Sequence, residues 1–161
     1  MAGVLKFPKL GSEKTLSLIE EPTRDEEETA EEFQARLEQF NLFRDVEITI
    51  KLVDRETSRA WAMRWEAIAV RDKKRIAEAE KKGDAATTIT GEGVQELIRL
   101  QRDILKSALI KLVGIQYGDT LSDTVTDSSG MIEIADGCGI LSACAIAASR
   151  GQAPTPTQGE V

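Results

Sequence analysis

One stretch of the sequence alternates strictly between apolar and polar residues. In VEITIKLV, residues 46–53, the side chains at even positions are apolar and those between them are mostly polar, a pattern typical of a half-buried β-strand. Alternation returns at Trp61, Met63 and Trp65, after a short polar loop. We therefore predict a β-hairpin whose two indoles lie against the apolar face of the first strand, followed by a helix over residues 66–82.

A single helix over residues 58–82 is the alternative for this region. Its apolar residues also fit a period of about 3.6, and alanine, a strong helix former, is plentiful. The residues on that stripe are Trp61, Trp65, Ile68, Ile76 and Ala79. Asp72 would fall on the same stripe. The two interpretations differ in whether residues 58–65 form a strand or the first turns of a helix.

The longest helical pattern lies in the second half of the chain. Apolar residues recur there at spacings of three and four, which is typical of an amphipathic helix. They are Val94, Leu97, Ile98, Leu105, Ala108, Leu109, Leu112 and Val113, with Ile104 and Ile110 widening the stripe. We predict one helix from Val94 to Val113 that is contacted on two sides and forms the spine of the fold. Gly114 or Gly118 is expected to end it.

Shorter elements are predicted on either side of these. Leu16 and Leu18 alternate in a short run that favours an edge strand, and the acidic sequence that follows leads into an amphipathic helix over 29–40. Phe33, Leu37 and Phe40 would form the apolar stripe of that helix.

The C-terminal half continues with a loop and a second, apolar helix. Residues 119–130 are rich in Asp, Ser and Thr and predict a loop, and the MIEI sequence after them predicts a short strand. The sequence ILSACAIAAS, residues 140–149, predicts a small helix that is apolar all round and needs cover on every side.

Taken together, these elements predict an α+β fold that is mainly helical. A β-hairpin would pack on a long central amphipathic helix in a single compact domain over residues 15–150, with the acidic segment 20–39 inside it. Residues 1–14 and 151–161 contain glycines or prolines and little periodic pattern. We expect them to be extended arms, of which the C-terminal one should be disordered when alone in water.

The charge of the chain is concentrated in one segment. The formal net charge is −7, and residues 20–39 hold nine acids against two arginines, which accounts for all of it. Acids in the first turn of the helix over 29–40 would be stabilised by the helix dipole. The segment 71–82 is a basic counterpart with six bases and three acids, and it could pair with the acidic segment within the chain or between copies.

Two sets of side chains are candidates for binding a partner. The first set is the run of carboxylates that would face a basic partner, Glu26, Glu27, Glu28, Glu31 and Glu32. A solvated helix face with a linker before it is the plainer interpretation of those acids. The second set is Trp61 and Trp65, which would form an exposed docking patch or, by the plainer interpretation, anchor the core.

Few residues in the sequence indicate a catalytic or metal-binding site. The chain has no histidine, the side chain used most often as a general acid or base and as a metal ligand. Its two cysteines, Cys138 and Cys144, are six residues apart and would lie on different faces of a helix, so we expect free thiols. Thr90 is expected to cap a helix. We predict no catalytic residue, cofactor or metal. No signal peptide or membrane span is evident, and a cytosolic protein is expected.

The sequence VEITIKLVDRETSRAWAMRWEAIAVRDKKRI, residues 46–76, resembles small tail-morphogenesis proteins of tailed bacteriophages, in particular tail assembly chaperones. The ending ILSACAIAASRGQAPTPTQ, an alanine-rich helix followed by a Gln-Ala-Pro-Thr-Pro tail, is similar to the ends of several such proteins. The resemblance covers about half of the chain.

This resemblance implies a non-enzymatic protein that acts in tail or head-to-tail assembly, in the cytoplasm of the bacterial host or in the virion. It would contact the apolar surface of a tape-measure or tail protein, or copies of itself, as an oligomer or part of a larger assembly without nucleic acid or membrane. The acidic segment supports one alternative, an inhibitor that mimics nucleic acid and occupies the site of a host enzyme. The sequence leaves open whether an assembly role is transient or resident.

Overall fold

The computed structural model describes residues 3–82, 91–153 and 157–159. The predicted loop after Lys82 and the capping role predicted for Thr90 lie outside these residues. In chain order the strands are β1 Val4–Lys6, β2 Glu13–Ser17, β3 Glu47–Lys51, β4 Leu109–Val113, β5 Gln116–Tyr117, β6 Thr120–Leu121 and β7 Thr157–Gly159. The helices are α1 Ala30–Phe43, α2 Arg55–Lys81, α3 Gly91–Ala108, α4 Ser128–Gly137 and α5 Leu141–Arg150. The predicted class, α+β and mainly helical, is confirmed.

The centre of the fold is a three-stranded antiparallel sheet in the order β2-β3-β4. The strand predicted from VEITIKLV is confirmed as β3, with Ile48 and Ile50 buried. The predicted edge strand is also confirmed as β2, which pairs with β3 so that Leu16 lies opposite Ile48. One face of the sheet is covered by helices, and α3 packs against α2, α4 and α5 as the predicted spine.

The predicted hairpin over residues 46–65 is wrong, and the helical alternative is confirmed. Asp54 caps α2 by accepting a hydrogen bond from the amide of Thr57 (2.7 Å), so the helix begins at Arg55, three residues before the predicted start at Ser58. Trp61 is buried whereas Met63 is 71 % exposed, so the side chains of this region follow a helical face rather than the alternation of a strand. The short alternating run was coincidental, because only the period of about 3.6 continues through Ile68 to Asp72.

The spine helix is shorter than predicted. It ends at Ala108, and the predicted last five residues form the strand β4 instead. A β-bulge opposite Thr49 and Ile50 shifts the register of this strand, so that Leu109 and Leu112 both face the core although they are three residues apart. That spacing is typical of a helix, and the bulge explains why the pattern was misleading. Gly114, with φ +94°, follows the strand.

The MIEI sequence, predicted as a strand, lies in helix α4. Asp127 caps this helix by accepting a hydrogen bond from the amide of Gly130 (2.9 Å), and Met131, Ile132 and Ile134 are buried within it. The predicted loop over 119–130 is therefore shorter, and it holds β6 and a 3₁₀ turn at Ser122–Thr124. Strand β6 pairs with β5, which precedes this range. The predicted apolar helix is confirmed as α5, with Cys144 fully buried, but the cover expected on every side is not found, since Ile146 is 48 % exposed.

The two arms meet each other. Strand β1 pairs with β7 in an antiparallel two-stranded ribbon in which Leu5 lies opposite Gln158. The expectation of an unstructured C-terminal tail is therefore wrong for residues 157–159. None of the described helices is long and apolar enough to cross a membrane.

Candidate protein-binding surfaces

The acidic segment leads into a capped helix. Thr29 begins α1 by accepting a hydrogen bond from the amide of Glu32 (3.1 Å). Glu31 and Glu32 lie in the first turn, where the helix dipole stabilises negative charge. Glu26 and Glu27 precede the cap, and all four of these carboxylate side chains are exposed. They are available to a partner in solution.

Glu28, the fifth predicted partner-binding glutamate, is instead held by its own chain. Arg36 donates a hydrogen bond from Nε to Glu28 Oε1 (2.7 Å) and another from Nη2 to the carbonyl of Thr23 (2.9 Å). The Arg36 hydrogen bonds hold the pKa of Glu28 below its ordinary value, and the amide of Asp25 adds to this effect. The pair ties the segment before α1 to the middle of the helix, so Glu28 has a bracing role.

Helix α1 keeps its apolar stripe outside the core. None of its fourteen residues, all of which the structure describes, is buried, and it makes no extensive contact with another described helix or strand. Phe33, Leu37 and Phe40 are half-buried, and the guanidinium of Arg44 lies 5.5 Å from the ring centre of Phe40. Of the helix's apolar side chains, Phe43 at its end packs against the core. The stripe is therefore partly covered, and Leu42, 77 % exposed, is the large apolar side chain of this helix that lies mostly in water.

The two tryptophans have different environments. Trp61 is 5 % exposed and belongs to the hydrophobic core, so the core-anchor interpretation is right for it and the docking interpretation is wrong. Trp65 packs against the edge of the core and remains half-buried. Its outer face lines a groove between α2 and the first half of α3.

The groove beside Trp65 has a volume of about 300 Å³ and is largely apolar. Its lining comes mostly from α2, including Lys73 and Ile76, with Leu97 contributed by α3. The buried carboxylate of Asp72 also lines the groove, and it lies 3.5 Å from the guanidinium of Arg75. A Cβ added to Gly93 would collide with this carboxylate. The sequence did not reveal this groove, because it exists only where two separate helices pack together.

The basic segment 71–82 does not pair with the acidic segment among the described residues. Arg71 forms an ion pair with Glu96 of α3, and Arg75 pairs with Asp72 on its own helix. The acidic segment makes its ion pairs with other residues, Glu28 with Arg36 and Glu20 with Arg150. Pairing within one chain is therefore not found in the described ranges, and pairing between copies stays a prediction.

A second apolar surface lies on the N-terminal arm. Val4, Leu5, Phe7 and Leu10 are each more than half exposed, although they are large apolar side chains. Among the described residues the ribbon that carries β1 has two strands, and such a ribbon has little stability of its own in water. Several exposed large apolar side chains on one marginal element favour a surface that another chain covers.

The titratable groups with shifted pKa values have structural explanations. The amide of Thr57 holds the pKa of Asp54 below its ordinary value as part of the α2 cap. Burial raises the pKa of the Cys144 thiol to about 12, which keeps it protonated and unreactive. Cys138 is exposed, and both thiols are free as predicted. Among the described residues no cluster of three or more Cys, Asp or Glu side chains has the spacing to hold a metal ion.

Comparisons of the chain with protein-family models, with curated proteins and with solved structures find no match. The function is therefore argued from the surfaces of the chain itself.

Proposed function

We propose that this protein is a non-enzymatic assembly protein that works by binding other protein chains, in tail or head-to-tail assembly of a bacteriophage. Its partners are tail structural proteins or further copies of the chain. The observation that carries the proposal is the exposure of the N-terminal arm, on which four large apolar side chains lie outside the core and are each more than half exposed.

The energetic reason is the cost of leaving such a cluster in water. Covering a side chain of the size of Leu or Phe contributes roughly 1.5–3 kcal/mol. The arm lies beside a cavity of about 360 Å³ that is lined by Phe7, Pro8 and Leu52 among others, so a partner side chain has a place to insert next to the ribbon. The ribbon also offers the outer edges of β1 and β7 for pairing with a further strand.

A binding role also agrees with the chemistry of the chain. The sequence contains no histidine, and the carboxylates of Glu28 and Asp54 have their pKa values lowered by a bracing arginine and by a helix cap. Both pKa values are lowered by contacts that stabilise the local fold. A catalytic general acid is instead expected to be a carboxylate in a cleft with a raised pKa.

The bacteriophage context is supported by the resemblance of residues 46–76 and 140–158 to tail-morphogenesis proteins. An apolar arm would suit the surface of a long helical tape-measure protein or of a tail-tube subunit. A transient chaperone and a resident subunit would both bind their partner through this arm.

The test is co-expression with the products of the genes that flank this one, followed by purification through a tag on the present chain. We expect a complex with one of them that is lost in the double variant Leu5→Ser/Phe7→Ser. The matched control is Met63→Ser/Val70→Ser, which changes two exposed apolar side chains on α2 and should leave the complex intact. A complex that is unaffected by the arm variant, or no complex with any neighbouring gene product, contradicts the proposal.

One observation favours the second candidate, an acidic inhibitor that mimics nucleic acid. Glu26, Glu27, Glu31 and Glu32 are exposed and lie close together in sequence around the start of α1. Changing these four residues to Gln should then abolish inhibition of a nucleic-acid enzyme while the arm variant retains it. Unchanged binding in the Gln variant removes this candidate.

A further inference from the structure

The N-terminal arm is fixed to the end of β3. Leu52, the residue after this strand, donates a hydrogen bond to the carbonyl of Ser12 (2.9 Å) and accepts one from the amide of Gly11 (2.8 Å). Gly11 has φ +81°, in the left-handed region that suits glycine, and the chain turns there between β1 and β2. The arm therefore leaves the sheet on the side of β3 that pairs with β2.

The C-terminal arm is fixed to the same strand end by one side chain. The amide group of Gln152 accepts a hydrogen bond from the amide of Val53 (2.9 Å) and donates one to the carbonyl of Lys51 (3.1 Å). Backbone groups of successive residues in an extended chain point to opposite edges, so these two bonds lie on the side of β3 away from β2. The pairing of β4 with that side ends at Ile50, and Gln152 takes the place of the next paired residue.

Gly151, next to this glutamine, brings the chain close to the sheet. It is buried, and a Cβ at this position would lie 2.5 Å from the Cδ1 atoms of Ile50 and Leu16. A larger residue would therefore push the chain away from the two strands. The position of Gln152 is set by this close packing as well as by its hydrogen bonds.

The two arms have matched lengths beyond these fixed points. Strand β1 ends at Lys6, five residues before Gly11, and β7 begins at Thr157, five residues after Gln152. Lys6 and Thr157 are also the register partners nearest in sequence to the fixed points. Equal lengths of chain from two neighbouring points bring these partners together, which lowers the entropy cost of pairing strands from opposite ends of the chain.

Gln152 also holds one wall of the cavity beside the arm. The cavity of about 360 Å³ is lined by residues of the N-terminal arm, of β2 and of the end of β3, together with Ala153. Ala153 directly follows Gln152, so the two hydrogen bonds of the glutamine keep this residue against the other walls. Releasing the glutamine would open the cavity on this side and free one strand of the ribbon.

From this we infer that Gln152 is a positioning residue for the partner-binding arm, because its two hydrogen bonds assemble β1, β7 and the cavity into one surface. The inference rests on the proposed function, in which the arm binds another chain. A ribbon of two three-residue strands has little stability of its own, so its assembly depends on how the strands are held. Partner binding should therefore fall when the two hydrogen bonds are removed, even though Gln152 acts through the arm.

The first test measures assembly of the ribbon in the free, full-length chain. Lys6→Cys/Thr157→Cys introduces two thiols at register partners, in a Cys138→Ser background that removes the exposed native thiol. Disulfide exchange with glutathione then gives the effective concentration of the two thiols. Gln152→Met keeps the length of the side chain and removes both hydrogen bonds, so it should lower this effective concentration by roughly tenfold.

The matched control is Gln39→Met, which makes the same change at an exposed position on α1. It should leave the effective concentration of the two thiols unchanged. Circular dichroism shows whether each variant is folded. If Gln152→Met does not fold, Gln152→Asn replaces it, because its amide is one methylene shorter and cannot reach both backbone groups.

The second test separates positioning from direct contact with the partner. In the complex with the gene product that co-purifies with the chain, Gln152→Met should raise the dissociation constant by roughly tenfold. Forming the Lys6→Cys/Thr157→Cys disulfide in this variant closes the ribbon covalently. It should restore the affinity of the same disulfide variant that retains Gln152. A glutamine that touched the partner could not be replaced in this way.

The two tests give distinct outcomes. An unchanged effective concentration in Gln152→Met overturns the inference, because the ribbon then assembles without the glutamine. A lower effective concentration with an unchanged dissociation constant also overturns it, because the partner then does not need the assembled ribbon. A loss of affinity that the disulfide does not restore indicates direct contact and overturns the positioning role. A lower effective concentration without any complex supports the role of Gln152 in the ribbon and contradicts the proposed function alone.

Discussion

Two leucines with the same chemistry should differ several-fold in their contribution to stability. Leu105 of α3 is 0 % exposed and belongs to the hydrophobic core, whereas Leu37 of α1 is half-buried on a helix that makes no extensive contact with the other described elements. We expect Leu105→Ala to lower the free energy of unfolding by about 2–5 kcal/mol, because it removes buried methyl groups and leaves a cavity.

The same change at Leu37 should cost less than about 1 kcal/mol. Only part of the side chain leaves water in the folded chain, so only part of the roughly 1.5–3 kcal/mol for a fully buried leucine is at stake. Alanine is also a better helix former than leucine, which offsets some of the loss. The difference between the two variants should therefore be at least about 1 kcal/mol and is expected to be nearer 3 kcal/mol.

The assay is urea unfolding of dilute protein, followed by tryptophan fluorescence, to which the buried Trp61 and the half-buried Trp65 both contribute. Dilution matters because association would stabilise the folded state by mass action and hide the difference. Equal m-values for the two variants and the wild type would show that the comparison is valid. A loss at Leu37 as large as that at Leu105 would refute the reasoning, since α1 would then belong to the core.

Three further predictions concern single residues. Gly114→Ala should lower the free energy of unfolding by about 2–4 kcal/mol in thermal or urea unfolding, because φ is +94° and a Cβ would meet the backbone just before β3. Gly118→Ala should lower it by only about 1 kcal/mol, because φ is +60° there but the space around a Cβ is open. Equal losses in the two variants would contradict this reasoning. Burial raises the pKa of Cys144 to about 12 from an ordinary value of 9.0, so the unfolded chain loses this proton at lower pH than the folded chain. The free energy of unfolding should therefore fall as pH rises from about 9 toward 12. The same fall in Cys144→Ala would show that this thiol does not cause it. The pKa of Glu28 by NMR titration should lie below that of ordinary glutamates and return to their range in Arg36→Gln; no shift between the two proteins would show that the pair is absent in solution.

The pattern of apolar and polar residues predicted correctly those elements whose periodicity fits one type of secondary structure. The strict alternation of residues 46–52 is compatible only with a strand, and the all-round apolar character of residues 140–149 requires a buried helix. Met63 shows where pattern fails: three alternating residues are too few to distinguish a strand from a helix when the longer period continues beyond them. The end of α3 was missed because the bulge in β4, which pairing with β3 imposes, gives Leu109 and Leu112 a helical spacing.

The candidate binding surfaces also differ in how far the sequence predicts them. The acidic segment is visible in the sequence because charge is a property of composition, and its four free glutamates were identified from it. The bracing of Glu28 was not visible, since Arg36 reaches it only once α1 has formed and the preceding segment has turned back along it. The groove beside Trp65 depends on the packing of α2 on α3, two helices whose facing residues are about thirty positions apart in sequence, and no local pattern encodes that contact.

Hydrogen–deuterium exchange of the full chain, alone and in complex with its partner, measures most directly whether the N-terminal arm binds another chain. In the free chain the amides of β1 should exchange much faster than those of α3, because β1 belongs to a two-stranded ribbon among the described residues whereas α3 is surrounded by packed helices. In the complex exchange in β1 should slow while exchange in α3 stays unchanged. Amides of β1 that exchange equally fast in the free chain and in the complex would contradict a binding role for the arm.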